Sequence, residues 1–452
     1  MTGLTELVAR RGAAGGRASG APERRAVRLV QALLLLESAM YSALAPVLPH
    51  YERLLHAAKP AMGILNASYP AGLVPGSFLA AWAAARLGVR RATLLGLVLF
   101  AAAIAPFGWA TGEVALDALR FAQGLACGFI WIGGLTWVIG VAERERRGEV
   151  LGTVFAAAIF GTLVGPILGT LAIAAGTGPV FAAVALASLA LARWTASHPQ
   201  PPLGAERERS PRLRAMLANR RISLGGWLIL LEAGTVGAVS TLVPLRLAAL
   251  GAAEALIGAT FLIAALLSTQ MSRPIGRITD RHGPRRPLRA GLIATAVLMV
   301  LLTLPRSATL LAVVTIVVFG APLTAYTIPA MAIMTDAAES AGIPIVVATM
   351  VLNLAWALGE AVGAPAAAGL AQSAGDSAPL LGLAAIMLAT LAPVARARMP
   401  VPAALGGPRA SEEAGEAGAG DSDEGSAVRA AARRAAAPQP AGAGARTWTR
   451  DQ

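Results

Sequence analysis

Long apolar runs separated by short polar breaks fill the chain from about residue 27 to residue 397. A helix crossing the hydrocarbon core needs about 20 mostly apolar residues. Such runs fall at 27–49, 62–85, 92–110, 114–140, 149–174 and 178–195, then at 222–247, 254–275, 288–304, 309–335, 344–371 and 378–397. Membrane strands would leave short alternating segments instead. The pattern therefore predicts an all-α integral membrane protein with twelve transmembrane helices. The one long polar break divides them six and six. Residues 1–25 read as a disordered cytoplasmic N-terminus, 26–195 and 222–397 as two six-helix bundles, 196–221 as a cytoplasmic linker, and 398–452 as a disordered cytoplasmic tail. The tail holds Ala, Gly, Pro and charge without apolar periodicity, so it cannot bury enough surface to fold.

The two halves repeat each other. Leu33–Glu37 (LLLLE) resembles Leu228–Glu232 (LILLE), Val47-Leu48-Pro49 resembles Leu242-Val243-Pro244, and Arg86–Arg91 resembles Arg281–Arg286, all at an offset of 195. Gly161 and Gly165 return as Gly359 and Gly363 at an offset of 198, so the second half has gained a small insertion. Two parallel six-helix repeats are a plan of secondary transporters, with the substrate site at their interface. The bundles are expected to be pseudo-symmetric.

Composition sharpens this picture. Of 452 residues, 56% are hydrophobic and 14% charged, and mean hydropathy is +0.63; soluble domains are about 25% charged. The net charge of +13 is almost all Arg, with Lys59 the only lysine. A compositional bias accounts for that excess better than nucleic-acid binding, and no nucleic-acid partner is expected. The placement of the Arg residues matters more. They gather before span one, after spans two, four and eight, and in the central break, while the alternate loops hold only Arg53, Lys59, Arg246 and Arg306. Cytoplasmic loops carry the Lys/Arg excess, so both termini are expected in the cytoplasm of a multi-pass inner or plasma membrane protein. The loop Asp336–Gly342 has no basic residue and breaks the pattern. The first apolar run is too long for a signal-peptide core. A single cysteine, Cys127, excludes an intramolecular disulfide or a multi-cysteine metal site. The four histidines show no ligand spacing and no phosphate-binding loop is present, so no metal and no cofactor are expected.

Three motifs carry chemistry. After span eight the chain reads Gly276-Arg277-Ile278-Thr279-Asp280-Arg281-His282-Gly283-Pro284-Arg285-Arg286; Asp280 could pair with arginines of its own loop and latch one arrangement of the bundles. The first-half copy has Ala85 and Ala81 where Asp and Gly stand in the pattern. Span four reads Arg120-Phe121-Ala122-Gln123-Gly124, with Asp117 one turn earlier on the same face. Arg120 either tunes a nearby proton site or pairs locally with Asp117. Span five carries Gly152, Gly161, Gly165, Pro166 and Gly169. Glycines four apart allow close helix approach, and Pro166 allows a bend.

On these three motifs residues 27–397 resemble the major facilitator superfamily, within its drug:proton antiporter branch. The resemblance implies alternating access around a central cavity, an intramembrane acid as the coupling residue and the proton gradient as energy source. Acids within spans are Glu37, Glu232 and Glu360. Glu37 lies ten residues past Val27, near mid-membrane, and Glu232 is its repeat mate. Burial disfavours a charged carboxylate, so such a group can exchange a proton and attract a cation, or can be a silent packing residue. Tyr41, Trp131, Trp137, Asn353 and Trp356 are candidates for the cavity wall, since aromatic faces suit cations.

The expected activity is proton-coupled efflux of a small lipophilic or cationic compound by a monomer. Uptake symport or facilitated passage of a metabolite is the first alternative; a non-transporting membrane receptor or assembly subunit is the second.

Overall fold

The computed structural model describes residues 23–142, 146–200, 219–343 and 345–397, with the backbone alone at 147–148 and 345–349. Every regular element among them is a helix. That follows from the solvent: with no water in the hydrocarbon, each backbone polar group must be paired inside its own segment. Helix α1 is a bent pair, Glu23–Ser42 and Leu44–Leu55, with a 40° break at Ala43. Then come α2 (Lys59–Leu87), α3 (Val89–Phe107), α4 (Glu113–Val141), α5 (Arg147–Ala175) and α6 (Thr177–Ala196). The second half holds α7 (Arg220–Ala249), α8 (Glu254–His282), α9 (Arg285–Leu301), α10 (Ala308–Ser340), α11 (Ile345–Ala374) and α12 (Ser377–Arg396). Nine of these are long and apolar enough to cross a membrane alone, and α1 as one bent span makes ten. The remaining two are α2, diluted by polar and proline residues, and α9, with 17 residues and three arginines near its start.

Helix pairs pack in the same scheme twice. In the first half α2 packs on α4, α3 on α4 and α6, and α1 on α5; in the second α8 packs on α10, α9 on α10 and α12, and α7 on α11. One apolar core joins residues 26–192 with Leu245, and a second lies wholly within 228–394. The glycines explain the register. A Cβ at Gly161 would meet the Leu35 carbonyl, and one at Gly359 would meet the carbonyl of Leu230, the repeat mate of Leu35. Gly165 lies against Ala39, and Gly363 against Gly234, again one repeat apart. Outward, large apolar side chains such as Trp82, Phe160, Ile167, Leu186 and Val362 are exposed, a surface that suits lipid rather than water.

The helices overrun the predicted spans. Gly276, Arg277, Asp280 and Arg281, expected in a loop, form the last turns of α8. Only Gly283, at φ 76°, makes the turn; its repeat mate Gly88 has φ 88°. Arg285 and Arg286 open α9, and Arg285 Nη2 reaches the Ala395 carbonyl at 2.5 Å. Asp280 is exposed and makes no ion pair among the described residues, so the expected latch is not closed in this conformation. Likewise α10 runs through Ser340, which leaves only a short turn of the loop expected at 336–342. The segments read as disordered lie outside the described residues, apart from 23–25 in α1; so does most of the linker, 201–218.

Candidate functional site: a two-lobed cavity between the bundles

The bend in α1 organises the site. Pro46 has no N–H to give the carbonyl four residues back, at Ser42, so the helix breaks there. The last carbonyls of the first segment need donors from outside their own helix. Arg120 on α4, fully buried, supplies the donors: Nη2 to the Tyr41 carbonyl at 2.9 Å and Nη1 to the Met40 carbonyl at 3.4 Å. A cation at the C-terminal end of a helix segment is also favoured by its dipole. Nη1 donates further to Gln123 Oε1 at 2.9 Å. The guanidinium lies 4.5 Å from the centre of the Tyr69 ring. Tyr69 comes this close because α2 and α4 touch backbone to backbone: a Cβ at Gly124 would strike the Tyr69 carbonyl.

Tyr69 in turn donates its hydroxyl to Glu37 Oε1. Glu37 Oε2 accepts from Trp131 Nε1 at 2.7 Å and from Ser38 Oγ at 3.3 Å. Glu37 is 3% exposed and sits on the wall of a cavity of about 610 Å³. Tyr41, Tyr69, Phe78, Trp131, Phe155 and Trp356 give that cavity its aromatic wall, with Asn353 beside them. It extends toward the end of the bundle where Glu23 starts and Arg396 stops. A second lobe of about 450 Å³ holds Glu232 and Glu360. Tyr41 and Trp356, with rings 5.6 Å apart, line both lobes. Tyr41 donates to Glu360 Oε1 at 2.5 Å, a hydrogen bond between the bundles.

From that level to the far end the bundles are joined. Asn66 Nδ2 bonds to Thr241 Oγ1 at 2.9 Å and Ser240 Oγ at 3.1 Å. Arg53 pairs with Glu254 at 2.6 Å and Lys59 with Asp376 at 2.5 Å. Gly63 lies against Ala364, Pro365 and Ala368 of α11.

Of the expected site residues, Glu37, Tyr41, Trp131, Asn353, Trp356, Glu232 and Glu360 line the two lobes. Trp137 does not: it is buried in the first core with its ring 6.4 Å from that of His198. Asp117 is half-buried, and no Asp117–Arg120 ion pair exists among the described residues, because Arg120 turns inward to α1. Gly161, Gly165 and Gly169 meet the α1 backbone around its bend, and Pro166 lines the second lobe. Gly152 faces open space and packs nothing. Tyr69, Ser38 and Asn66 are additions of the structure. The signal for two of them was an Asn and a Tyr three residues apart, on one face of a helix too polar to be a simple lipid anchor.

The family model of the Major Facilitator Superfamily matches residues 32–360 and 236–441. The chain belongs to this superfamily. It is 28% identical over 269 residues to the uncharacterized MFS-type transporter YcaD of Escherichia coli O139:H28, covering 59% of this chain and 69% of YcaD. A shorter match, 38% over 103 residues, is to the MFS-type transporter ppzB of Metarhizium rileyi, and covers 23% of this chain and only 21% of ppzB. Among solved structures, the nucleoside transporter NupG superposes with TM-score 0.66 at 13% identity, covering 82% of this chain and 100% of NupG. A D-xylose-proton symporter gives 0.66 at 16%, covering 83% and 98%. A bacterial homolog of the human lysosomal transporter Spinster, inward-facing and unoccupied, gives 0.68 at 12%, covering 83% and 96%. These likenesses define the fold: twelve transmembrane helices in two bundles. The chain is a multi-pass membrane transporter of small molecules, and its relatives are transporters rather than enzymes.

Proposed function

We propose that this chain exports a small lipophilic or cationic compound in exchange for protons, by alternating access in the inner or plasma membrane. The bundles 26–195 and 222–397 would rock about the cavity, with both termini in the cytoplasm and the proton gradient as the energy source. No cofactor enters the reading, and the working unit is a monomer.

The observation that carries it is Glu37. This carboxylate lies on the wall of an aromatic cavity, held by Tyr69, Trp131 and Ser38. A proton and a cationic substrate would compete for its oxygens, and competition for one carboxylate is enough to make the two fluxes opposite. The aromatic wall offers faces for a lipophilic cation. Glycines 161, 165 and 169 let α5 ride directly on the α1 backbone beside Glu37, so a change at the acid can be passed to a closely packed helix.

The test is purified protein in liposomes holding a pH-sensitive dye, with an imposed proton gradient and a panel of lipophilic cations and neutral drugs. Compound-dependent proton movement in the wild type, abolished by Glu37→Gln in a folded protein, is the expected result. Wild-type proton exchange in that variant would remove Glu37 from the coupling role. No compound-dependent proton movement across a broad panel would favour a facilitator or a narrow metabolite carrier.

A further inference from the structure

The second lobe has a chemistry of its own. Two carboxylates, Glu232 and Glu360, line it, and among the described residues no Lys, Arg or His does. Its hydroxyl groups have spent their protons. Thr269 and Ser272 on α8 donate to the carbonyls of Ala265 and Ser268, at 2.8 and 2.9 Å. Thr324 donates to Gly320, which leaves Ser268 as the donor in the 2.9 Å contact between Ser268 and Thr324. Thr162, Ser42 and Ser240 donate to carbonyls of their own helices, and Thr327 shares its proton between the Leu323 carbonyl and the Glu232 carboxylate. A hydroxyl has one proton and two lone pairs, so each of these groups now offers the space only an acceptor. Asn66 has its amide protons on Ser240 and Thr241, and Tyr41 has its proton on Glu360. Among the described lining residues the Trp356 indole is the one side-chain N–H or O–H donor left over.

A second observation points the same way. Glu360 is 1% exposed, and its Oε2 has no hydrogen-bond partner among the described residues. Buried polar atoms are normally paired; this oxygen lacks a donor, and a ligand in the lobe supplies one if the carboxyl turns toward it. The lobe's volume of about 450 Å³ is far more than a single ion fills.

We propose that this lobe is an amine subsite. It takes the protonated amine end of an elongated amphipathic molecule, whose aromatic or apolar end lies in the 610 Å³ lobe beyond Tyr41 and Trp356. An ammonium brings N–H donors only, which complements a wall of acceptors and two carboxylates. The inference rests on the reading of this cavity as the substrate's route, but not on proton coupling at Glu37.

The experiment is isothermal titration of the full chain in detergent at neutral pH with two probes. Both carry a naphthyl ring on a hexyl chain; one ends in a primary ammonium, the other in a hydroxyl. The ammonium probe should bind about 10- to 100-fold more tightly, the range of a charge-assisted hydrogen bond. Glu360→Gln and Glu232→Gln should each weaken that preference and leave the alcohol's affinity unchanged. Thr269→Val, which keeps the shape and removes an acceptor, should reduce the preference even if a carboxylate variant fails to fold. Equal binding of the two probes by the wild type overturns the subsite. So does a preference that all folded variants keep, or one that vanishes when sodium replaces choline in the buffer, since the lobe would then be a metal-cation site. Proton movement in liposomes separates the two ideas. Compound-driven protons with equal probe binding would sink the subsite alone, and probe discrimination without proton movement would sink the coupling alone.

Discussion

The ion pairs at the far end set a balance that can be moved by a calculable amount. Lys59 Nζ lies 2.5 Å from Asp376 Oδ1, with side chains 32% and 30% exposed; Arg53 Nη2 lies 2.6 Å from Glu254 Oε1, with 62% and 36% exposed. Both pairs join the first bundle to the second, so both exist only while this end is shut. Partly exposed pairs are worth about 0–1 kcal/mol. Arg53–Glu254 belongs at the bottom of that range and Lys59–Asp376 nearer the top. Removing both with Lys59→Ala and Arg53→Ala should cost the closed state about 1 kcal/mol, or a population shift of about fivefold. Closure would survive, because Asn66 still bonds to α7 and Gly63 still packs on α11. Spin labels at Ala58 and Ala253, in a Cys127→Ala background, would read the distance across this end by double electron–electron resonance. The longer distance should gain about fivefold in population in the double variant. Concentrated salt should do the same to the wild type, since screening weakens exposed pairs. A distance distribution unmoved by both treatments, in folded protein, would refute the assignment of these pairs as the clasp.

The packing and the site make further outcomes measurable. Gly161→Leu should lower the thermal midpoint in detergent, since overpacking costs about 1–3 kcal/mol, whereas Gly152→Leu should leave it unchanged because that Cβ meets nothing. Arg120→Met should abolish transport by leaving the carbonyls at the α1 bend without donors. Arg120→Lys should fail to rescue it, since an ammonium is a point charge and cannot reproduce the planar fork; transport assays of both variants decide. Binding of the ammonium probe should tighten between pH 6 and pH 8, by at most about tenfold per pH unit if it displaces one proton. The titratable groups lining that lobe are Glu232, Glu360 and Tyr41, and the buried Arg120 guanidinium acts on Glu360 and Tyr41 from α4. A flat profile by calorimetry would show that no proton leaves on binding.

Much of this architecture could be read from the chain because lipid leaves few choices. A run of apolar residues in a bilayer becomes a helix, and the 195-residue offset reappears as the shared contacts of Gly161 with Leu35 and Gly359 with Leu230. Helix ends were less legible, since hydropathy reports where lipid stops, not where the helix does; Arg277–Arg281 is helical for that reason. Facing was the other gap. Trp131 and Trp137 are six residues apart, about 240° around a helix, so one reaches Glu37 and the other the bundle core. In a span hydrophobic all round, sequence alone does not say which. The hydroxyls of the second lobe were invisible because Ser and Thr are ordinary in membrane helices, and only their gathering from several helices gives them meaning.

Lys59 has a practical consequence through its rarity. It is the only lysine in the sequence, and it is half of the clasp at the far end. An amine-directed acylating reagent that cannot cross lipid therefore has one side chain to modify, and only when the clasp lets go of it. The rate of that acylation becomes a clock for release of the ion pair itself, readable by mass spectrometry on the native chain without any engineered label.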